Sequence, residues 1–224
     1  TLAASARSTN TRAAAISSTV AARMSGRRPS RALRCPARYR GTLTPIASAA
    51  DTTGMRNEGN AAIVFDPAEA EPVEKTLAEM GLSLRAIVLT HSHYDHCWGV
   101  PGLLERRQVP VFGPVLNDYD RATHPPYPKP GTVPLDCVTH TVGAGDHVVL
   151  RAPHIDLTVM AVPGHTRGHL AFWDQAGGRV FTGDSLFAGG CGQVFDSVSG
   201  MAQLLDSSAR LPEQTDVFGG HEKT

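Results

Sequence analysis

The feature that most constrains this chain is a cluster of three histidines and one aspartate within six residues, from His91 to His96. Histidine accounts for only 10 of the 224 residues, so such a cluster is hard to attribute to chance. It follows an apolar run over residues 84–89, which predicts a buried strand that delivers several side chains to one edge of a sheet. Imidazoles and carboxylates are ligands that suit zinc and similar divalent metals, so we predict a metal site here.

Later segments repeat this arrangement, in which a histidine or aspartate with a glycine beside it follows an apolar stretch. The residues concerned are His165 and His169 in GHTRGH, Asp184 in TGDSLF, and His221 in GGHE. Glycine lets the backbone turn sharply, which allows the neighbouring side chain to point inward. We therefore interpret these residues as completing the site that residues 91–96 begin.

Taken in order, the motifs HxHxDH, GHTxGH, TGDxLF with GGCG, and GHE resemble those of the metallo-β-lactamase superfamily. Within that superfamily, about residues 57–224 are most similar to glyoxalase II, the hydroxyacylglutathione hydrolases. The resemblance implies an α/β (α+β) fold, a four-layer αββα sandwich. The alternation of predicted strands and helices, with site residues at the strand ends, favours the same architecture.

The resemblance implies a centre of two divalent metal ions, with zinc expected and iron or manganese as alternatives. The first metal would be held by His91, His93 and His165, and the second by Asp95, His96 and His221. Asp184 would bridge both metals, because a carboxylate can offer one oxygen to each cation. We expect His169 to lie behind the ligands, where it holds one of them in place or packs between strands.

The resemblance also implies hydrolysis of S-D-lactoylglutathione to D-lactate and glutathione, a step in the removal of methylglyoxal. Asp95 and Asp184 would act together with a hydroxide that bridges the metals and attacks the thioester carbonyl. A thiol has a pKa of ~8.5, so the thiolate can leave without a dedicated general acid. This agrees with motifs that offer metal ligands but no separate acid–base pair.

Three positions are expected to contact the substrate, although each differs from the residue usual in the family. Gln193 replaces a basic residue, Phe195 an aromatic residue with a hydroxyl, and Lys223 a tyrosine. We also expect the chain to lack the family's C-terminal helical domain, which supplies further basic contacts to glutathione. Each lost charged hydrogen bond would weaken glutathione binding by roughly 1–3 kcal/mol.

Two other interpretations stay open on the sequence. The first is a persulfide dioxygenase of the same superfamily, with a single iron on His91, His165 and Asp184. His96 and His221 would then have no metal to bind, which favours the two-metal hydrolase. The second is a truncated, non-catalytic fragment that binds metal but lacks the part that docks the substrate.

Charge divides the chain into two parts. Residues 1–50 hold nine arginines and no acidic residue, whereas residues 51–224 carry 21 acidic and 12 basic residues, a net charge of −9. We interpret residues 1–41 as a disordered segment with the composition of a transit peptide, and residues 42–224 as the hydrolase domain. Such a peptide implies a mitochondrion or a plastid, and without it the cytoplasm is expected.

Charge and the length of apolar runs also indicate which partners the chain can bind. The acidic body argues against nucleic acid, and no apolar run reaches the ~20 residues of a membrane span. We expect a monomer that acts on a small glutathione thioester.

The apolar periodicity predicts most of the elements around these motifs. A strand is predicted over residues 60–66, followed by a helix over residues 67–80 that Gly81 ends. The resemblance requires a first hairpin, which we assign to residues 42–48 and 60–66. A further helix is predicted over residues 98–108.

Overall fold

The computed structural model describes residues 42–45, 54–115, 137–187 and 190–221 of the chain. The predictions for residues 1–41 and for Lys223 lie outside these residues and stay predictions. Within the described residues, no helix combines the length and the apolar character that a membrane crossing requires.

The described residues up to 141 form the first group of elements, which contains strands and short helices in alternation. They are β1 (Thr42–Pro45), β2 (Gly54–Glu58), β3 (Ala61–Phe65), α1 (Ala70–Glu79), β4 (Ser83–Val88), α2 (Tyr94–Cys97), α3 (Val100–Leu104), β5 (Val111–Gly113) and β6 (His140–Thr141). The described residues from 147 onward form β7 (His147–Arg151), β8 (His154–Ala161), β9 (Leu170–Asp174), β10 (Arg179–Gly183), α4 (Val198–Ser208) and β11 (Asp216–Gly219).

These strands form two sheets, one from each half of the chain. The first has the order β1-β2-β3-β4-β5-β6, with antiparallel pairing from β1 to β3 and parallel pairing from β3 to β6. The second has the order β11-β10-β9-β8-β7 and is antiparallel except for the pair β10 and β11. Parallel neighbours end at the same edge of a sheet, so the residues that follow them come close together.

The two sheets pack face to face through apolar side chains. Phe65 of β3 stacks on Phe181 of β10 with 3.7 Å between the ring centroids, and Phe172 of β9 belongs to the same cluster. The other face of the first sheet packs against α1 and α3, with Val73 at this contact. The other face of the second sheet packs against α4 through Met201. The layers run helix, sheet, sheet, helix, which confirms the predicted αββα sandwich.

The structure corrects two of the predicted elements. The prediction of the first hairpin is wrong, because β2 lies between β1 and β3 and pairs with both. The sequence of β2 contains one large apolar residue, Met55, and therefore gives no alternating signal, although Met55 is fully buried. The helix predicted over residues 98–108 is shorter than predicted: α3 runs only from Val100 to Leu104, and a separate short helix, α2, precedes it. Pro101 in the first turn of α3 has no N–H with which to continue the ladder of α2.

Gly99 lets the segment that carries the histidine cluster dock on the turn after β3. Its N–H donates to Pro67 O at 2.8 Å. A Cβ at this position would lie 2.6 Å from the carbonyl carbon of Glu69 and 2.7 Å from Pro67 O. The approach of the two backbones is therefore compatible only with a residue that has no side chain.

We predict that Gly99→Ala lowers the free energy of unfolding by about 1–3 kcal/mol, because the added methyl group overpacks this contact. Urea unfolding followed by circular dichroism measures the change. Gly54→Ala is the matched control, since a Cβ there would meet no atom within 4 Å. Equal midpoints for the two variants would show that the turn relaxes without cost.

Candidate metal centre

Three buried imidazoles meet beyond the ends of β4 and β8. His91 Nε2 lies 3.0 Å from His93 Nδ1, and His165 Nε2 lies 2.9 Å from the same atom. Each of the three residues is at most 2% exposed. A neutral imidazole has one donor and one acceptor, so three nitrogens at one point cannot all satisfy each other. They are arranged as three ligands of a metal ion would be.

A second group of donors combines two residues of α2 with one that follows β11. Their donor atoms, from Asp95, His96 and His221, all lie within 4.8 Å of one another. Asp95 Oδ2 is 3.5 Å from His221 Nε2 and 3.9 Å from His96 Nε2. One carboxylate and two imidazoles thus form a second compact set.

Asp184, which follows β10, contacts both groups. Its Oδ2 lies 3.4 Å from His165 Nε2 in the first group and 3.3 Å from His221 Nε2 in the second. Its Oδ1 lies 3.2 Å from His96 Nε2. Burial alone would raise the pKa of this carboxyl, but His96 and His221 outweigh burial and hold the pKa well below its usual range. The structure thus brings all seven residues predicted as ligands into one cluster, with an anionic Asp184 between the two groups.

The buried polar atoms of this cluster fit a divalent cation. His96 Nδ1 faces Asp66 Oδ2 at 3.0 Å, whereas His96 Nε2 and Asp184 Oδ1, which are 3.2 Å apart, make no well-aligned hydrogen bond with any described residue. A buried acceptor that faces another acceptor is costly unless positive charge lies between them. Against the effect of burial, the carboxylates of Asp184 and Asp66 raise the pKa of His96 well above its ordinary value. This position therefore needs a positive charge, which a metal ion would supply in place of a proton.

Asp66 contacts a predicted ligand, although the sequence did not single it out. Its Oδ1 accepts from Thr90 N at 2.8 Å, and its Oδ2 accepts from Thr90 Oγ1 at 2.7 Å in addition to facing His96. These bonds join the end of β3 to the start of the histidine cluster and fix Nδ1 of His96 as the donor, which leaves Nε2 for a metal. A signal was available, because Asp66 directly follows an apolar run, as the predicted ligands do.

His169 lies behind the ligands, as predicted. Its Nε2 accepts from the backbone N–H of Asp184 at 3.1 Å, and its Nδ1–H donates to Leu170 O at 3.1 Å. Its ring stacks on His91 with 4.5 Å between centroids and 18° between planes. Burial lowers the pKa of His169 to about 3. The two hydrogen bonds also require the neutral ring, since a protonated Nε2 would face a second donor.

A cavity of about 290 Å³ opens beside the cluster. The lining residues are four of the seven predicted ligands and three residues of the loop that leads into α4: Asp95, His165, Asp184, His221, Gly192, Gln193 and Phe195. Two of the three residues predicted to contact the substrate, Gln193 and Phe195, therefore line this cavity. Predicted metal ligands and residues predicted to contact the substrate therefore line the same cavity.

Comparison with known protein families identifies the family of this chain. Residues 53–221 match the Metallo-beta-lactamase superfamily. The chain belongs to this superfamily.

Relatives in the metallo-β-lactamase superfamily include curated and solved proteins. The chain is 41% identical over 180 residues to a hydroxyacylglutathione hydrolase of Cupriavidus taiwanensis, a match that covers 75% of this chain and 61% of the relative. The chain thus spans about three-fifths of the length of that relative. ETHE1 from Myxococcus xanthus is 30% identical with a TM-score of 0.60, covering 82% of this chain and 76% of that one. TTHA1623 in a di-iron-bound form is 28% identical with a TM-score of 0.58, covering 82% and 87%.

We predict that Asp66→Asn weakens binding of one divalent metal ion by about 10- to 100-fold, the usual effect of removing the partner that orients a metal-ligating histidine. The amide offers an N–H to a nitrogen that must itself donate. Competition between the protein and a chelator for Zn²⁺ measures the affinity. Asp156→Asn is the matched control, since Asp156 pairs with the exposed His147 on the second sheet. Equal affinities in the two variants would contradict the role of Asp66.

We predict a pH-dependent stability that is specific to His169. The unfolded chain takes up a proton near pH 6.5, whereas the native ring resists protonation down to about pH 3. The free energy of unfolding therefore falls as the pH falls through this window. Between pH 7.5 and 5.0 the loss is about 2 kcal/mol. Metal-free wild type and His169→Gln, unfolded in urea at both pH values, should differ by this amount in their pH response. Parallel responses would exclude a neutral native His169.

Proposed function

We propose that this chain is a two-metal hydrolase that cleaves the thioester bond of hydroxyacyl derivatives of glutathione, with S-D-lactoylglutathione as the substrate to test first. The observation that carries the proposal is the convergence of two donor groups on Asp184 at the wall of a cavity. The name of the relative from Cupriavidus taiwanensis supports the reaction, and the di-iron form of TTHA1623 supports two metals.

The proposed ligand sets follow the two groups of donors. The first comprises His91, His93 and His165, the second comprises Asp95, His96 and His221, and Asp184 belongs to both. Imidazole and carboxylate donors suit zinc, and they also accept iron or manganese. Two divalent ions bound there would lower the pKa of a water molecule and polarise a carbonyl oxygen.

The chain's own side chains would prepare this centre and orient the reactants. Asp95 and Asp184 line the cavity, so we assign them catalytic roles in which their carboxylates accept hydrogen bonds from the attacking water. Asp66 and His169 hold the donors from behind, which keeps the site in one geometry. Phe195 and Gln193 form the wall against which the acyl group would lie.

The titratable groups of the cavity favour a thioester over an amide. Among the described residues that line it, each titratable side chain belongs to a ligand set: Asp95, His165, Asp184 and His221. None of these would be available as a separate acid to protonate a leaving group. A thiolate, with a parent pKa of ~8.5, departs unprotonated, whereas an amine leaving group needs a proton. The cavity therefore suits a thiol ester better than a lactam.

A persulfide dioxygenase with one iron is the second candidate. Two histidines and one carboxylate are the set that non-haem iron oxygenases use, and His91, His165 and Asp184 could provide it. His165 Nε2 and Asp184 Oδ2 are 3.4 Å apart. The second donor group favours the hydrolase, since a single-iron site leaves three converging donors without a function. Iron-dependent oxygen uptake with glutathione persulfide would reverse this preference.

We predict that the full chain with two equivalents of Zn²⁺ hydrolyses S-D-lactoylglutathione, and that His93→Ala lowers kcat/KM by at least about 100-fold, because it removes a metal ligand and the charge stabilisation that the metal gives. Release of glutathione, followed with a thiol reagent, measures the rate, and metal content is determined on the same samples. His147→Ala is the control, since His147 is exposed on β7.

The outcomes separate the candidate functions. Activity that His93→Ala abolishes and His147→Ala retains would support the hydrolase. Two bound metal ions without turnover would contradict S-D-lactoylglutathione as the substrate of this chain, and would match either a different substrate or a non-catalytic fragment. The second outcome is relevant because the chain spans 61% of the length of the relative from Cupriavidus taiwanensis.

A further inference from the structure

The loop that leads into α4 is fastened to the first donor group by its backbone. The N–H groups of Phe195 and Asp196 both donate to Gly164 O, at 3.1 and 2.9 Å. The carbonyl oxygen of Gln193 accepts from Nδ1 of His165 at 2.7 Å. The Cα of residue 195 is therefore held at a fixed place beside the imidazole of His165.

The aromatic ring of Phe195 packs against two imidazoles of the first donor group. Its centroid lies 5.9 Å from that of His93 with 89° between the ring planes, and 5.4 Å from that of His165 with 57° between the planes. Perpendicular and tilted aromatic contacts at these distances are favourable beyond the area they bury. The same ring lines the cavity. Phe195 thus contacts two predicted metal ligands and the cavity at once.

A ring in this position restricts the rotation of the imidazoles that it touches. A histidine ligand must present one nitrogen in the direction of the metal, and every other orientation of its ring reduces the fraction of protein able to bind. Packing that excludes those orientations removes part of the entropy cost of binding before the metal arrives. The hydrogen bond from His165 Nδ1 to the carbonyl oxygen of Gln193 also restricts rotation of the His165 ring, since it fixes the nitrogen that faces away from the cluster.

We propose that Phe195 is a positioning residue for the first metal, whose ring keeps His93 and His165 in the orientation that binds the ion. This role goes beyond the substrate contact predicted for Phe195, and it rests on the proposed function because it needs a metal at the first donor group. It also means that the aromatic ring, and not a hydroxyl on it, is what the metal centre requires at this position.

The test measures metal affinity in the absence of any substrate. The full chain and its variants Phe195→Ala, Phe195→Leu and Phe195→Tyr compete with a chromophoric chelator for Zn²⁺. We expect the alanine and leucine variants to bind one of the two ions about 10-fold more weakly, and the tyrosine variant to keep wild-type affinity because it keeps the ring. Val194→Ala is the matched control, since it shortens the neighbouring, more exposed side chain of the same loop.

Wild-type Zn²⁺ affinity in Phe195→Ala would overturn the inference. An equal loss of affinity in Phe195→Tyr would also overturn it, since the ring would then not be the cause. Slower hydrolysis with unchanged affinity would leave Phe195 as cavity wall alone. If the wild type binds two Zn²⁺ ions but hydrolyses no thioester, the proposed reaction fails while the affinities still decide the role of Phe195.

Discussion

The hydrogen bonds of Asp66 connect the fold of this protein to its site. The carboxylate accepts from the backbone and the hydroxyl of Thr90 and faces His96 Nδ1, so one buried side chain joins β3, the start of the histidine segment and a ligand of the second group. Asp66 itself adopts a φ of +46°, a left-handed conformation that aspartate tolerates better than most residues. Since β3 and β4 are parallel neighbours, the hydrogen bonds from Thr90 to Asp66 fix the place where the histidine segment leaves the sheet.

His91 in the first donor group and Asp184 between the two groups have opposite electrostatic preferences. The pKa of His91 lies well below its ordinary value, because burial and the nearby imidazoles of His96 and His169 disfavour a charge on its ring. Metal binding requires neutral imidazole, so His91 can bind a metal at neutral pH without releasing a proton. The second group contains Asp95 and lies against Asp184, whose negative charge favours a cation there. Asp184 lies between the two groups, where its negative charge would offset part of the repulsion between two bound cations.

The sequence indicated the site because histidines cluster after one apolar run and because His165, Asp184 and His221 each have a glycine beside them, while the family resemblance supplied the ligand sets. Asp66 follows an apolar run without an adjacent glycine, and it was missed. β2 was missed for another reason, since its pairing with β1 and β3 buries Met55 among residues with no strand pattern. The packing of Phe195 on His93 joins residues about a hundred positions apart, which no local pattern reveals. Contacts between distant segments depend on the tertiary arrangement, and that arrangement is what the structure adds.

In the proposed reaction, the residues that set the metal centre are distinct from those that would recognise the thiol carrier. The donors, Asp66, His169 and the loop of Phe195 all lie between residues 66 and 221, within the part that matches the superfamily. Each of them is held by a neighbour in that part, so the geometry of the centre is set there. The described cavity wall adds an amide and an aromatic ring, which suit an acyl group better than the carboxylates of glutathione. Weak carrier binding would raise KM while an intact centre sustains kcat, so the two properties can vary independently.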